Sequence, residues 1–471
     1  MNFTATCIEK FPGYACIRVK APENVSRQPI HLCVVLDTSA SMDEGNKLEN
    51  VRQSMKFLLD FLGPQDKLSI ITFSQHAKIV MSGVPISSDE KENIRARISL
   101  ITSESNTNLS AGIITSQDCL LTNSGCKQSI LILTDGHANI GMTTPSDITK
   151  LSKNLCRLYP DTSISTVGYG TGHNVELLQN ISSEGGGSYY VVNDIEDVAQ
   201  VFGDILGGLL TCAAQQVTVC LPLNTELKTR YAVHNSSLKS SDNKDTCVLI
   251  GDMPAGMEAS FIAKLSEGVN ISVKGYDLQI NEKIMLLGTV KKVNDSVLQA
   301  ECEAHYLRFA VLDIIEKARK ALVDYSIDTS PILNDIQHYS LQIVNYKENN
   351  TNPVWDILLE ELKECNENLV NRSKNRYYNT DSAQVMAQRT TYLGRMKGIA
   401  AKGITPRSYG LSQQQEQSPL PRGFSNIAQR QISSQLQSQM SPSVVQHSSP
   451  QMPPAPPLVS EIGRQIARCS S

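Results

Sequence analysis

The chain predicts an α/β fold with a doubly wound, mostly parallel sheet, joined to a β-sandwich, a helical segment and a disordered C-terminal tail. Three observations carry that expectation. Between His31 and about Leu210, short continuous apolar runs alternate with stretches of helical period. From Gln215 to about Val293 the helical period gives way to alternation of period two. After Gly403 the composition turns to Gln, Ser and Pro.

Within residues 29–210, the run HLCVVLD reads as a strand buried on both faces. Leu48, Val51, Met55, Leu58, Leu59 and Leu62 recur at three- and four-residue steps and mark a helix, stopped by Gly63-Pro64. KLSIITF is the next strand, and AKIVM follows so closely that it reads as its antiparallel partner. Ile94, Ile98 and Ile101 mark a second helix; Leu109 to Leu121 is a third, after the loop SESNT. SILILTD is a strand as apolar as the first, Pro145 to Leu158 is helical, SISTVGYG and GSYYVV are strands, and Ile195 to Leu210 is a closing helix. Buried strands separated by helices require helices on both faces of the sheet.

Residues 211–295 carry the strand patterns QVTVCLPL, TRYAVHN, CVLIGDM, SFIAKLS, ISVKGYDLQI and KIMLLGTVKKV, a β-sandwich. Residues 1–28, with FTATCIEKFPGYACIRVKAP, hold too few strands to stand alone and are expected to complete it. Residues 296–402 read as helical, with Leu298, Cys302, Phe309, Leu312 and Ile315 near one face. There Asn352-Pro353 reads as cap and first turn of the helix carrying Trp355, Leu358, Leu359 and Leu362. Residues 403–471 have few large apolar side chains and are expected to be disordered, with Val459, Ile462 and Ile466 on one helical face near the end. PPAPP and SPLPR in this tail suit SH3 or WW domains as polyproline segments, a plain linker being the simpler reading.

Of the 471 residues, 40% are hydrophobic, and 43 basic and 47 acidic side chains are well mixed, for a formal charge of -4. No broad basic surface for nucleic acid follows from that balance. The N-terminus lacks a basic start followed by an apolar run, so no signal peptide is expected. Stretches such as Ile205 to Ala214 are too short, and too interrupted by glycine, to span a bilayer. The twelve cysteines are scattered without a CxxC pair, which suggests reduced thiols in a cytoplasmic protein rather than a zinc site or a disulfide framework. Asn-X-Ser/Thr sequons at Asn24, Asn108, Asn180, Asn235 and Asn270 favour an extracellular location instead, although a chain rich in Asn and Ser acquires them by chance.

The stretch VVLDTSASM, Val34 to Met42, ends a buried strand on one carboxylate and three hydroxyls. An aspartic protease needs a second carboxylate on an equivalent turn of an all-β fold. Here a long amphipathic helix follows Asp37, and the other DTS triplets, at Asp161 and Asp328, follow no buried strand. A dehalogenase-type phosphotransferase needs an acid two residues after its nucleophile, where Ser39 stands. Ligands of an open parallel sheet collect at the carboxyl ends of its strands. Asp37 and Asp135 end the two most apolar strands, and the loop Ser105-Asn106-Thr107-Asn108 lies between them in sequence. If those strands are neighbours, Asp37, Asp135, Ser39, Ser41 and Thr107 form an all-oxygen set suited to Mg²⁺ or Mn²⁺ rather than Zn²⁺, with room for an outside ligand.

The segment Asp37-Thr38-Ser39-Ala40-Ser41 resembles the DxSxS signature of the von Willebrand factor A (VWA) domain, a Rossmann-like fold. Thr107 in SNTNLSAGI is similar to the threonine of that family's second loop, and Asp135 in LTDG to the acid of its third. The resemblance covers about Pro29 to Leu210 and implies a metal-ion-dependent adhesion site made of Asp37, Ser39, Ser41, Thr107 and Asp135. It also implies that the hydroxyls bind the ion directly, the aspartates mostly through water, and a partner protein's Asp or Glu completes the shell. Ala40 stands where many members have glycine. The flanks resemble the subgroup of plant RING-finger ubiquitin ligases and bacterial cell-surface VWA proteins, where strands on both sides of the domain form a sandwich, up to about Val293. RING spacing is missing, as is a domain ahead of these strands like that of inter-α-trypsin-inhibitor heavy chains.

His137 reads as a solvent-facing loop residue rather than a site residue, Asp43 and Glu44 as an acidic pair at a helix start, and GYGTG and EGGGS as turns. The function expected is a non-enzymatic, metal-dependent protein-binding or scaffold protein in the cytoplasm. An accessory or substrate-binding component of a ubiquitin-ligase system and a secreted or cell-surface adhesion protein are the alternatives.

Overall fold

The computed structural model describes residues 1–372 except 24, 122–125, 136, 171, 193–194, 237–244 and 348–353, together with Ala383 and Met386. Two strands, β1 (Asn2–Cys7) and β2 (Tyr14–Lys20), open the chain and are followed by β3 (Ile30–Asp37). A 3₁₀ segment, Ala40–Asn46, leads into α1 (Lys47–Phe61), β4 (Lys67–Phe73), β5 (Ala77–Pro85) and α2 (Ser88–Ser99). Next come α3 (Leu109–Ser116), β6 (Lys127–Thr134), α4 (Pro145–Leu158), β7 (Thr162–Tyr169), α5 (Val175–Glu184), β8 (Gly186–Val192) and α6 (Ile195–Leu210).

Strands β3 to β8 form one sheet in the order β5-β4-β3-β6-β7-β8, parallel except for β5, which pairs antiparallel with β4 as its spacing predicts. Along β3, Ile30, Leu32, Val34 and Leu36 face one layer, with α1, α2 and α6, while Cys33 and Val35 face the other, with α3, α4 and α5. This is the doubly wound α/β architecture that the unbroken apolar runs predict. The helix expected from Leu109 to Leu121 is shorter. It ends at Ser116, whose hydroxyl donates to the Ile113 carbonyl, and continues as a 3₁₀ turn, Gln117–Cys119.

The chain then enters β9 (Cys212–Pro222), β10 (Leu227–Lys228), β11 (Ala232–Ser236), β12 (Asp245–Pro254), β13 (Glu258–Lys264), β14 (Asn270–Asp277) and β15 (Glu282–Thr289). The five-stranded sheet β11-β12-β9-β14-β15 packs on the four-stranded sheet β1-β2-β13-β10, which the N-terminal strands complete. Three helices follow, α7 (Ser296–Val323), α8 (Ser330–Lys347) and α9 (Val354–Asn371). Helix α7 does not present a single apolar face. It covers the outer side of the four-stranded sheet, where Arg18 pairs with Glu301 at 2.7 Å and His305 lies 3.2 Å from Ser260, so helices and sandwich share one core. Both the Asn352-Pro353 cap and the Gln/Ser/Pro-rich segment lie outside the described residues.

The sandwich docks at the amino ends of the parallel strands. Lys127, at the start of β6, is buried and pairs with Asp252 of β12 at 2.6 Å, while Gln215 and Gln216 donate to the Asp161 and Thr162 carbonyls at the start of β7. Beside them Gly251 (φ +85°) lies against Gly186 at the start of β8, and a Cβ on Gly251 would fall 2.2 Å from the Gly186 carbonyl oxygen. The Gly251→Ala variant is expected to lose about 2–4 kcal/mol, combining backbone strain with a clash against main chain. A shift in the urea midpoint measures that loss. Docking at this end leaves the carboxyl ends of the strands uncovered by the sandwich.

Candidate functional site

Sheet order decides where a ligand fits. The chain runs outward from β3 to β4 and β5, then returns to place β6 on the other side of β3. Strand order therefore reverses between β3 and β6, and the loops leaving their carboxyl ends diverge to form a crevice. Asp37 is the last residue of β3, and Asp135 immediately follows β6.

Both carboxylates are buried, with Asp37 0% and Asp135 4% exposed. The Ser39 N–H donates to Asp37 Oδ1 at 2.8 Å, and the Thr134 hydroxyl donates to Oδ2 at 2.5 Å, fixing the carboxylate between the two strands. Burial dominates its electrostatics and pushes the Asp37 carboxyl up to about 6. Hydrogen bonds from Ser39 and Thr134 oppose that shift, and the neighbouring Asp135 charge adds to it. The Ser39 and Ser41 hydroxyl oxygens lie 3.1 Å apart.

Thr107 arrives from the loop before α3. Its N–H donates to Asn139 Oδ1 at 2.9 Å, and its carbonyl accepts from the N–H groups of Asn139 at 3.0 Å and Ile140 at 3.3 Å. Those bonds tie the second loop to the segment after Asp135. Asn108, the next residue, caps α3 by accepting from the Ala111 N–H at 3.0 Å. The backbone of the first loop is held by Thr38, whose N–H donates to the Phe73 carbonyl at 2.8 Å.

Lys47 is a site residue that the motif reading missed. Its ammonium donates to Asp135 Oδ2 at 3.2 Å and to the Ser41 carbonyl at 3.1 Å, bridging the first and third loops. A lysine opening a helix is disfavoured by the helix dipole, and that misplaced charge at the start of α1 was the available signal. The other Asp135 oxygen, Oδ1, is buried with no hydrogen-bond partner among the described residues. A buried carboxylate oxygen left bare costs free energy unless something cationic or protic meets it.

Among the described residues no group of three or more His, Cys, Asp or Glu side chains converges to hold a metal. A cation in this crevice would therefore rest on two carboxylates and on hydroxyls, a donor set that suits a hard ion and not a soft one. Asp43 and Glu44 are exposed, and Asp43 accepts from the Ser103 hydroxyl. His137 is exposed, and its Nε2 lies 2.6 Å from the Gly172 carbonyl, so it links two loops. Among the described residues no helix is long and apolar enough to cross a membrane.

Comparison with known proteins agrees with this geometry. The von Willebrand factor type A domain family matches residues 31–204. The uncharacterized protein YfbK of Escherichia coli is 25% identical over 242 residues, covering 50% of this chain and 41% of that protein. Inter-alpha-trypsin inhibitor heavy chain H4 of Homo sapiens is 25% identical over 213 residues, covering 43% of this chain and 22% of that protein. The chain thus spans less than half the length of these curated relatives. Among solved structures, the von Willebrand factor type A protein from Catenulispora acidiphila aligns with a TM-score of 0.56 over 74% of this chain and 85% of that one, at 13% identity, a likeness of fold.

Proposed function

From the premise that residues 31–204 of this chain form a von Willebrand factor type A domain, we propose that it is a non-catalytic, cation-dependent protein-binding protein. Asp37, Ser39, Ser41, Thr107 and Asp135 would hold Mg²⁺ or Mn²⁺, and the ion would supply a Lewis-acidic position for an Asp or Glu side chain of a partner protein. The bare, buried Asp135 Oδ1 is the observation that carries this reading. The rest follows from charge. Asp37 and Asp135 together balance a divalent ion, and Lys47 beside Asp135 adds a positive charge, so the loaded site attracts an anionic group.

The test is capture of partners from native extract by the full chain, with Mg²⁺ and with EDTA. A partner set lost in EDTA and regained with Mg²⁺ is expected; the same set under both conditions would refute the proposal. Lys47 gives a sharper prediction. Its ammonium competes with a divalent ion for Asp135, and adjacent charges at an effective dielectric of about 20 interact by a few kcal/mol. The Lys47→Met variant is therefore expected to bind Mg²⁺ at least about tenfold more tightly by titration calorimetry, while holding an acidic partner more weakly.

We infer a cytoplasmic location from the cysteines, which are scattered along the sequence without a CxxC pair. A secreted or cell-surface adhesion role has one observation in its favour, because the sequon residues Asn180 and Asn270 are exposed. Asn108 does not help that reading, since its side chain is engaged in capping α3. A glycosidase-sensitive mobility shift of the native protein would decide for the second location.

A further inference from the structure

Strands β9 and β12 are neighbours in the five-stranded sheet, and Cys220 and Cys247 stand directly opposite each other in their antiparallel register. Opposed residues point to the same face, and their Cα atoms lie about 4.5 or 5.5 Å apart depending on the hydrogen-bonding position. Both spacings fall within the reach of a disulfide without backbone movement. Val219, Leu221 and Val248, the sequence neighbours, belong to the sandwich core, so by alternation the two cysteines occupy the outer face. Their sulfur atoms are 3.2 Å apart, with the Cys247 thiol donating to the Cys220 sulfur.

We propose that Cys220 and Cys247 are a redox modification site, closing reversibly into a cross-strand disulfide under hydroperoxide oxidation. The Cys220 thiolate attacks the peroxide, breaking the O–O bond to give a sulfenic acid and one water. The Cys247 sulfur then attacks the sulfenic sulfur, the S–S bond forms and the second water leaves. Two thiols lose two electrons and two protons, and one hydrogen peroxide becomes two waters. A small thiol or dithiol reverses the reaction by exchange.

The surroundings favour this assignment of roles. The Cys247 S–H hydrogen bond, more than any other contact, holds the Cys220 thiol below the usual thiol range against the cost of burial, with help from the Lys274 charge and from Ser272, which stands opposite Cys220 on β14. Cys247 is pushed upward by the same contact. Among the described residues two other thiol pairs adjoin, Cys16 with Cys302 and Cys33 with Cys119, but all four of these residues are 2% exposed or less. Cys220 is itself only 5% exposed, but the partly exposed Cys247 beside it opens this pair to solvent, so an oxidant reaches the β9–β12 pair first. The site is independent of the metal-binding proposal. Its effect is mechanical, because β12 also carries Gly251 and Asp252 and β9 carries Gln215 and Gln216, the residues that dock the sandwich on the parallel sheet.

The test treats the reduced full chain with stoichiometric hydrogen peroxide at pH 7.5, alkylates remaining thiols and maps the peptides. The first product expected is a Cys220–Cys247 crosslinked peptide about 2 Da lighter than the two reduced peptides together, reversed by dithiothreitol, with a melting temperature raised by about 5 °C. Cys247→Ser should stop at a sulfenic acid on Cys220 that dimedone traps, and Cys220→Ser should abolish both products. Circular dichroism of each variant controls for folding. Crosslinking that begins at Cys16–Cys302 or Cys33–Cys119, or full alkylation of Cys220 and Cys247 after peroxide, would overturn the assignment.

Discussion

With the proposed cation site, Mg²⁺ is expected to raise the melting temperature of the wild-type chain, and Asp37→Asn is expected to abolish that rise and at the same time to stabilise the metal-free protein at neutral pH. The first effect is loss of a ligand. An ion at 100 times its dissociation constant stabilises the folded state by about 2.7 kcal/mol, and that gain should vanish. The second follows from burial. The Asp37 carboxyl sits at about 6 in the folded chain, against about 3.9 when unfolded. A raised folded value means that the native state holds the proton more tightly, so stability is highest below about pH 4 and falls as pH rises through about 6. Two units correspond to about 3 kcal/mol at most, a cost that the uncharged amide avoids.

The same balance sets a pH dependence for the wild type. Proton and ion compete for Asp37, so Mg²⁺-induced stabilisation should be full at pH 7.5 and shrink below about pH 6. Thermal melts with Mg²⁺ and with EDTA across that range check both statements. A metal response in Asp37→Asn equal to that of the wild type would remove Asp37 from the site.

The largest effect on folding is expected at Trp355, the sole tryptophan of the chain. Its ring is fully buried at the start of α9, edge-on to Tyr346 with centroids 4.9 Å apart, inside the core that the helices share with the sandwich. Trp355→Ala should cost about 3–5 kcal/mol, since neighbouring elements close such a cavity only in part. Trp355→Phe should cost about 1–2 kcal/mol, because the buried indole N–H has no acceptor among the described residues and its removal forfeits no hydrogen bond to them. Urea unfolding followed by circular dichroism separates the two. If Trp355→Ala matched the wild-type midpoint, α9 would have to unfold independently of the sandwich.

The parallel sheet was legible because each of its signals is local. A strand buried on both faces, such as Ile30–Asp37, must be apolar throughout, and a helix over one layer must repeat at three and four residues, as Leu48, Val51 and Met55 do. The end of α3 was misread because Cys119, in a 3₁₀ turn, and Leu120, extended just after it, are buried as they would be in a helix, and apolarity alone does not tell these apart. The middle of α7 is buried on more than the one face that Leu298, Cys302, Phe309, Leu312 and Ile315 mark, because His305 and Arg308 meet Ser260 on the outer side of the four-stranded sheet and Glu303 is covered by its pair with Lys10.

Within the candidate site, Asp37, Ser39 and Ser41 were readable as one cluster because five residues hold them together. That Asp135 joins them depends on β3 and β6 being adjacent, and Thr107 approaches through backbone bonds to Asn139 and Ile140. For Lys47 only the misplaced charge at the helix start was readable; that it lies between Ser41 and Asp135 was not, since a helix-start lysine has many ways to point.

The sequence by itself determined the kinds of element, their order, and the chemistry available at the ends of two buried strands, because periodicity and turn residues act over a few positions. The tertiary structure alone decided which groups meet: a lysine beside Asp135, a carboxylate oxygen of that residue left bare, and two cysteines, distant in sequence, placed sulfur to sulfur. Those meetings depend on strand order and register, which many weak contacts between distant segments fix together, and no short stretch of the chain encodes them.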